Sequence, residues 1–353
     1  MQSKSYREER QSLATLKVEE LWQAVHSSLE PAELYYPTPC WSNVQFSPGY
    51  GLLPVLEPRV SVAKQSIKFI KVLEVVREMV LCGGRTTKRD IFYQNFSYFG
   101  SQREVDSIIN VLVSMLQVPR LYLGVVATSK GLVVGDLSFL NSEEITVDCN
   151  LAVGGLNIPQ DVPELANLHS EAKLVLVIEK DAIFQRLLDE GILSGRLPSL
   201  IMITGKGVPD LATRQLVYRL ATELLLPVML LTDCDPYGMD IGLMYKFGSL
   251  AMSWCAESLA VPSSVWLGLL PSDVRLFGIG KQSTKPFSPE DWKKVVDISK
   301  REYVAGMDEF QEELDTIWTN GRKAEIQQVA EERGTGFLAD TFIPAKIAHA
   351  NWI

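Results

Sequence analysis

The stretch LLTDCDPYG, residues 230–238, decides the reading of the fold. An apolar run, Val228–Thr232, reaches Asp233 and ends; Asp235 follows, and Pro236-Tyr237-Gly238 turns the chain. Two runs upstream have the same design. Leu174–Ile178 ends at Glu179 and leads into a helical pattern over Ala182–Leu188. Leu200–Thr204 ends in Gly205-Lys206-Gly207 and leads into a longer helix from Pro209 or Asp210. Short continuous runs of apolar β-formers separated by helices predict an α/β domain with a mainly parallel sheet, covered on both faces. In open sheets of that kind, ligands bind outside the carboxyl ends of the strands. Glu179, Asp233 and Asp235 all fall there. Hard divalent cations such as Mg²⁺ take several oxygen donors and bridge one or two carboxylates to phosphate, so these acids are candidate metal ligands. Loop aspartates also cap turns and helices, and that reading competes for the Asp233/Asp235 pair.

Upstream of the sheet the pattern is helical. Ile67, Ile70, Leu73, Val76, Val80 and Leu81 recur at helical spacing until Gly83-Gly84 stops them. Thr87 with Asp90 reads as a capping box opening a short helix, and Ser101 with Glu104 as a second. Leu121–Ala127 and Leu132–Leu140, separated by Thr128-Ser129-Lys130-Gly131, read as a β-hairpin. Helices followed by a hairpin predict a winged-helix DNA-binding unit over 61–142, its second helix in the major groove and its hairpin along the backbone. Within it, RTTKRDIFYQN (85–95) places Tyr93 near Arg85, Lys88 and Arg89. Arg89 stands one helical turn before Tyr93, on the same face. A tyrosine used as a nucleophile needs nearby positive charge or a base, and Arg89 could stabilise charge on a phosphate oxygen. The competing reading is an amphipathic surface tyrosine.

The 353-residue chain carries a net charge of −9, with 46% hydrophobic and 22% charged residues, which suits two globular domains. The charge is uneven: from Arg59 to Lys130 eleven Lys/Arg face five Asp/Glu, a balance of +6, and the remainder carries 23 basic and 38 acidic residues, a balance of −15. A basic module is joined to an acidic body. No run approaches the roughly 20 apolar residues of a membrane helix, and the polar start MQSKSYREER argues against a secretory signal. The five cysteines form no CxxC and three scattered histidines give no metal cluster, so free thiols in a reducing compartment are expected. Residues 1–60 read as an N-terminal extension, helical over Leu13–Leu29 and then too rich in Pro and Gly to be one regular element. Residues 143–170 read as a linker, and 171–353 as the α/β domain ending in acidic helices over Pro289–Arg333.

RDIFY, VLVIEKDAIFQRLL, ITGKGVPDLATR and DCDPYGMDI, in that order and spacing, resemble one family. It is the A subunit of archaeal topoisomerase VI and its eukaryotic meiotic relative, often called Spo-eleven. SLAMSW, WLGLLPSD and the terminal NWI extend the similarity, more closely to the meiotic branch, over about residues 65–353. The resemblance implies a winged helix followed by a Toprim domain. It implies that Tyr93, last residue of the R-D-I-[YF]-Y motif, is the nucleophile, and that Arg89 supports it. Phe92 stands where many relatives carry a second tyrosine. Glu179, Asp233 and Asp235 match the Toprim metal acids, and Lys130 matches a DNA-contacting lysine. Arg85 and Lys88 are further candidate DNA contacts.

The implied reaction is attack of the Tyr93 oxygen on double-stranded DNA to leave a 5′-phosphotyrosyl link, by two chains paired as a homodimer, with Mg²⁺ at the acids. GKGVPD lacks the spacing of a P-loop, so a topoisomerase VI B-like subunit is the expected ATP-binding partner. The favoured outcome is an unresealed meiotic double-strand break, which places the chain in the nucleus on chromosomes. The alternatives are a topoisomerase subunit that decatenates, a DNA-binding subunit that is catalytically silent, and a Toprim nuclease that cuts without Tyr93.

Overall fold

The computed structural model describes residues 2–27, 33–37, 44–47, 49–55, 60–64, 66–126, 129–195, 197 and 199–353. Four helices build the basic module: α1 (Gln2–Ser27), α2 (Ile67–Cys82), α3 (Lys88–Gln94) and α4 (Gln102–Leu116). Ser66 accepts a hydrogen bond from the Phe69 amide to start α2, and Gly83, at φ 67°, ends it in the left-handed conformation. The Thr87–Asp90 capping box forms in both directions, each bond 3.1 Å. Ser101 caps α4 without a side-chain bond; Glu104 instead accepts from Lys68 Nζ at 2.7 Å and from the Gly100 amide at 3.3 Å. Val72, Leu73, Val76, Ile91, Val105, Ile109 and Leu112 form one core beneath these helices.

The two runs expected to pair as a hairpin do not pair with each other. Arg120–Leu123 is a 3-10 turn, and Val125–Val126 pairs in parallel with Thr86–Thr87. Leu132–Gly135 instead joins the main sheet, antiparallel to Leu200–Thr204. The reason is burial: Leu132, Val133 and Val134 are enclosed on both faces, which a solvent-exposed wing cannot provide. Ala127 and Thr128, within the expected hairpin, lie outside the described residues.

That sheet has six strands, in the order Leu156–Asn157, Leu132–Gly135, Leu200–Thr204, Leu174–Ile178, Val228–Leu231, Val265–Gly268. The last four pair in parallel, and Leu132–Gly135 is antiparallel to both its neighbours. Leu174, Leu176, Ile178 and Met202 point into one core, whereas Val175, Val177, Ile201 and Ile203 point into the other. Alternate residues thus feed two apolar layers, and this is why the strands read as continuous hydrophobic runs. Helices α5 (Asp181–Asp189), α6 (Leu211–Glu223) and α7 (Pro236–Phe247) follow the three diagnostic strands.

Residues 143–170 are not a linker. Thr146–Asp148 and Ala166–His169 both pair with Ser138–Leu140, and Cys149, Ile158, Val162 and Leu165 sit in the core at 0–1% exposure. Their elements are too short to leave a periodic signal. The described parts of the N-terminal 60 residues are likewise held in place. Ala14, Val18 and Val25 of α1 are buried in the helical module's core. Val44 and Leu52, on the paired strands Val44–Ser47 and Gly51–Pro54, are buried in the α/β core. The end of the expected first helix (residues 28 and 29) and positions 38–43 lie outside the described residues, as does Cys40. Cys82, Cys149, Cys234 and Cys255 are free thiols. Among the described residues no helix is long and apolar enough to cross a membrane.

Candidate functional site

Each acid is placed by the strand before it. Glu179 follows Leu174–Ile178, and Asp233 follows the neighbouring Val228–Leu231, whose register with it is parallel. One carboxylate therefore lands beside the next: the Asp233 amide donates to Glu179 Oε2 at 2.9 Å. Asp235 caps α7, its Oδ1 accepting from the Tyr237 and Gly238 amides at 2.9 and 2.7 Å. Gly238 is required at this turn because a β-carbon there would strike the Asp233 backbone. The helix-capping reading and the edge-acid reading are both true of Asp235.

Burial and mutual repulsion act on these groups. Burial, then the charge of Asp233, pushes the Glu179 carboxyl up to about 7. Burial also raises Asp235, against the pull of its two backbone bonds. Asp233 is 3% exposed and raised chiefly by burial, but its Oδ2 lies 2.6 Å from Lys180 Nζ. A contact that short is a charge-assisted bond between ammonium and carboxylate. On the lysine, burial opposes the charge, and the bonds to Asp233 and Glu325 outweigh it, so its pKa is raised. Asp233 Oδ1 accepts from the Ile326 amide at 2.9 Å. The segment 322–326 thus folds over the acidic edge, and Glu325 meets Lys180 at 3.1 Å and Lys285 at 2.8 Å.

The three expected metal acids share one edge without forming a ready cage; among the described residues no group of three or more such side chains is poised around a metal position. Asp233 is engaged by Lys180 and Ile326, and one Asp235 oxygen by the helix cap. The donor chemistry still suits a hard cation: Glu179 Oε1 and Asp235 Oδ2 make no hydrogen bond among the described residues, and burial holds both carboxyls above their ordinary pKa, which a bound cation would offset. A magnesium ion typically takes one or two carboxylates and keeps several waters, so Glu179 and Asp235 fit it, with Asp233 alongside.

Tyr93 projects from α3 with 68% of its surface exposed, its ring 5.3 Å from Phe92. Arg89 is exposed one turn earlier. No hydrogen bond or ion pair joins either residue to the acids among the described residues. The expected DNA contacts divide. Lys88 is partly buried and 3.5 Å from Asp106; its pKa is lowered, by burial first and then by Arg120. Arg85 is 3.7 Å from Glu164, which ties the helical module to the segment read as a linker. Lys130 is not on a wing. Its amide donates to Asp210 Oδ2 at 2.8 Å and its Nζ to the Lys206 carbonyl at 3.0 Å. That places it at the 205–207 loop, whose Gly207 amide bonds the Glu179 carbonyl at 2.7 Å. Lys180, Lys206 and Glu325 were missed from sequence. Lys180 had a signal, its adjacency to Glu179; Glu325 had none, because only the tertiary fold brings it there.

An acid-edged parallel sheet is thus joined to a basic helical module that exposes a tyrosine. Residues 174–347 match the family model for the Toprim domain shared by Spo11 and the A subunit of topoisomerase 6, and residues 64–125 that for type IIB DNA topoisomerase. The chain is 38% identical to the meiotic recombination protein SPO11 of Mus musculus over 321 residues, 89% of this chain and 81% of that one. The Homo sapiens protein of that name is 37% identical over the same shares. The A3 subunit of DNA topoisomerase 6 from Oryza sativa subsp. indica is 35% identical, over 83% of this chain and 66% of its own length. The chain belongs to the family formed by Spo11 and the topoisomerase 6 A subunits.

Proposed function

We propose that this chain is a topoisomerase-like transesterase that forms meiotic DNA double-strand breaks in the nucleus, on chromosomes. The observation that carries this reading is the carboxylate edge, with Asp233 bonded through its amide to Glu179, in a chain whose separate module exposes Tyr93. The Tyr93 oxygen attacks a backbone phosphorus, a phosphorus–oxygen bond to Tyr93 forms, and the bond to the 3′-oxygen breaks. The tyrosine proton passes, in net terms, to the departing 3′-oxygen. One phosphodiester replaces another, so the bond change itself consumes no ATP. Arg89, on the face of α3 that carries Tyr93, neutralises phosphate charge. Lys130, beside Lys206, holds backbone phosphates near the acids, with Arg85 as an outer contact, while Lys88 is engaged with Asp106 inside the module. Glu179 and Asp235, with Asp233, would hold a divalent cation, Mg²⁺, which would supply charge neutralisation at the scissile phosphate.

Within one chain Tyr93 has no bond to the acids, which supports work as a homodimer, one chain's tyrosine serving its partner's acids on double-stranded DNA. A topoisomerase VI B-like subunit is the further partner. Identity to the plant topoisomerase 6 proteins supports a second reading, a decatenating subunit that reseals its breaks; the higher identity to the mouse and human SPO11 proteins, 38% and 37%, favours the first.

The test incubates the chain, with its B-like partner, with end-labelled DNA and Mg²⁺, and reads protein-bound label on denaturing gels. Wild type carries label and Tyr93→Phe carries none while still binding DNA. Label on Tyr93→Phe refutes the assignment. ATP-dependent relaxation of supercoils without trapped complexes selects the resealing subunit.

A further inference from the structure

We infer that Lys180 is the resident counterion of the acidic edge, an ammonium that occupies Asp233 until a divalent cation takes its place. Lys180 bridges two carboxylates from distant parts of the chain, Asp233 Oδ2 at 2.6 Å and Glu325 Oε2 at 3.1 Å. The two partners differ in kind. The Asp233 side chain is 4% exposed and lies among the candidate metal ligands, whereas the Glu325 side chain is 34% exposed. Glu325 is anchored independently by Lys285 at 2.8 Å, so it stays in place whatever Lys180 does.

Ionised carboxylates at a partly buried edge need compensating positive charge. Without a metal, Lys180 supplies one charge, and the Ile326 amide bond holds the other Asp233 oxygen. A cation entering at Glu179 and Asp235 would reach Asp233 Oδ2 only if the ammonium withdraws. A lysine suits that exchange: it is a compact point charge on a flexible stem, not a rigid bidentate fork. Lys180 is also 29% exposed, so its stem has room to turn toward Glu325 and solvent. The Lys180–Asp233 bond thus closes the acid set in the metal-free protein, and its release opens the third donor.

This inference rests on the metal reading, and the experiment separates the two. The full-length chain is titrated calorimetrically with MgCl₂ and with MnCl₂, as wild type and as Lys180→Met, which keeps the aliphatic stem. In parallel, wild type is reductively methylated with and without saturating Mg²⁺, and modification of Lys180 is read by mass spectrometry. Lys180→Met should bind the ion about tenfold more tightly, the exchange of one partly buried ion pair at about 1.4 kcal/mol per decade. Methylation of wild-type Lys180 should rise when Mg²⁺ binds. Ion binding with unchanged Lys180 methylation, or equal or weaker affinity in Lys180→Met, overturns the inference and leaves the metal reading intact. Absence of binding in both proteins overturns the metal reading and the inference with it.

Discussion

Replacing Glu179 by Gln should stabilise the metal-free protein. The wild-type carboxyl is raised from 4.5 to about 7 by burial and by the charges of Asp233 and Asp235. An acid raised on folding is a liability once the unfolded chain can ionise. Below pH 4.5 both states are protonated and the group has no effect. Between 4.5 and 7 the unfolded chain releases a proton that the folded chain retains, so stability falls as pH rises. Above 7 the deficit is constant, about 3 kcal/mol for a shift of about 2.5 at about 1.36 kcal/mol per pH unit. Gln removes the charge, keeps the shape, and keeps an oxygen to accept the Asp233 amide. In EDTA, thermal unfolding should place Glu179→Gln about 5 °C above wild type at pH 8, with the gap closing toward pH 4.5. Mg²⁺ should raise the melting temperature of wild type and not of the variant. A variant less stable than wild type at pH 8, or a gap independent of pH, refutes the account of the acidic edge as short of positive charge.

Lys346 and Asp273 form a fully buried ion pair at 2.9 Å, both side chains at 0% exposure. Lys346→Met strands the carboxylate and should cost about 3–5 kcal/mol in urea unfolding, most of it recovered in Lys346→Met/Asp273→Leu; a loss below about 1 kcal/mol counts against this. Lys130→Ala should lower the salt-dependence slope of DNA binding by about 0.9, one phosphate contact. Lys88→Ala should leave it nearly unchanged, because Lys88 is engaged with Asp106 inside the module; equal effects of the two would contradict that division.

The α/β domain was legible because each of its diagnostic strands is buried on both faces. Leu174–Ile178, Leu200–Thr204 and Val228–Leu231 therefore carry uninterrupted apolar runs, and Glu179, Asp233 and Asp235 are fixed to the sheet's edge by the residues immediately before them. Local chemistry likewise fixed α2, from Ser66 to Gly83, and the Thr87–Asp90 capping box. The pairing of Leu132–Gly135 was not legible. Its sequence suits a hairpin strand or a sheet interior equally, and only contact with Leu200–Thr204 decides between them. Residues 143–170 gave no period because their elements are two to four residues long, yet their side chains fill a core built by distant strands. The partners of the acids were hidden for the same reason. Lys180 stands beside Glu179 in sequence but bonds Asp233 across the sheet, and Glu325 and Ile326 arrive from about ninety residues further along than Asp233. Sequence alone named the candidate residues for the chemistry, through periodicity, motif and resemblance to a family. Tertiary structure decided which charges those residues meet, because electrostatic partners are set by distance in space and leave no period along the chain.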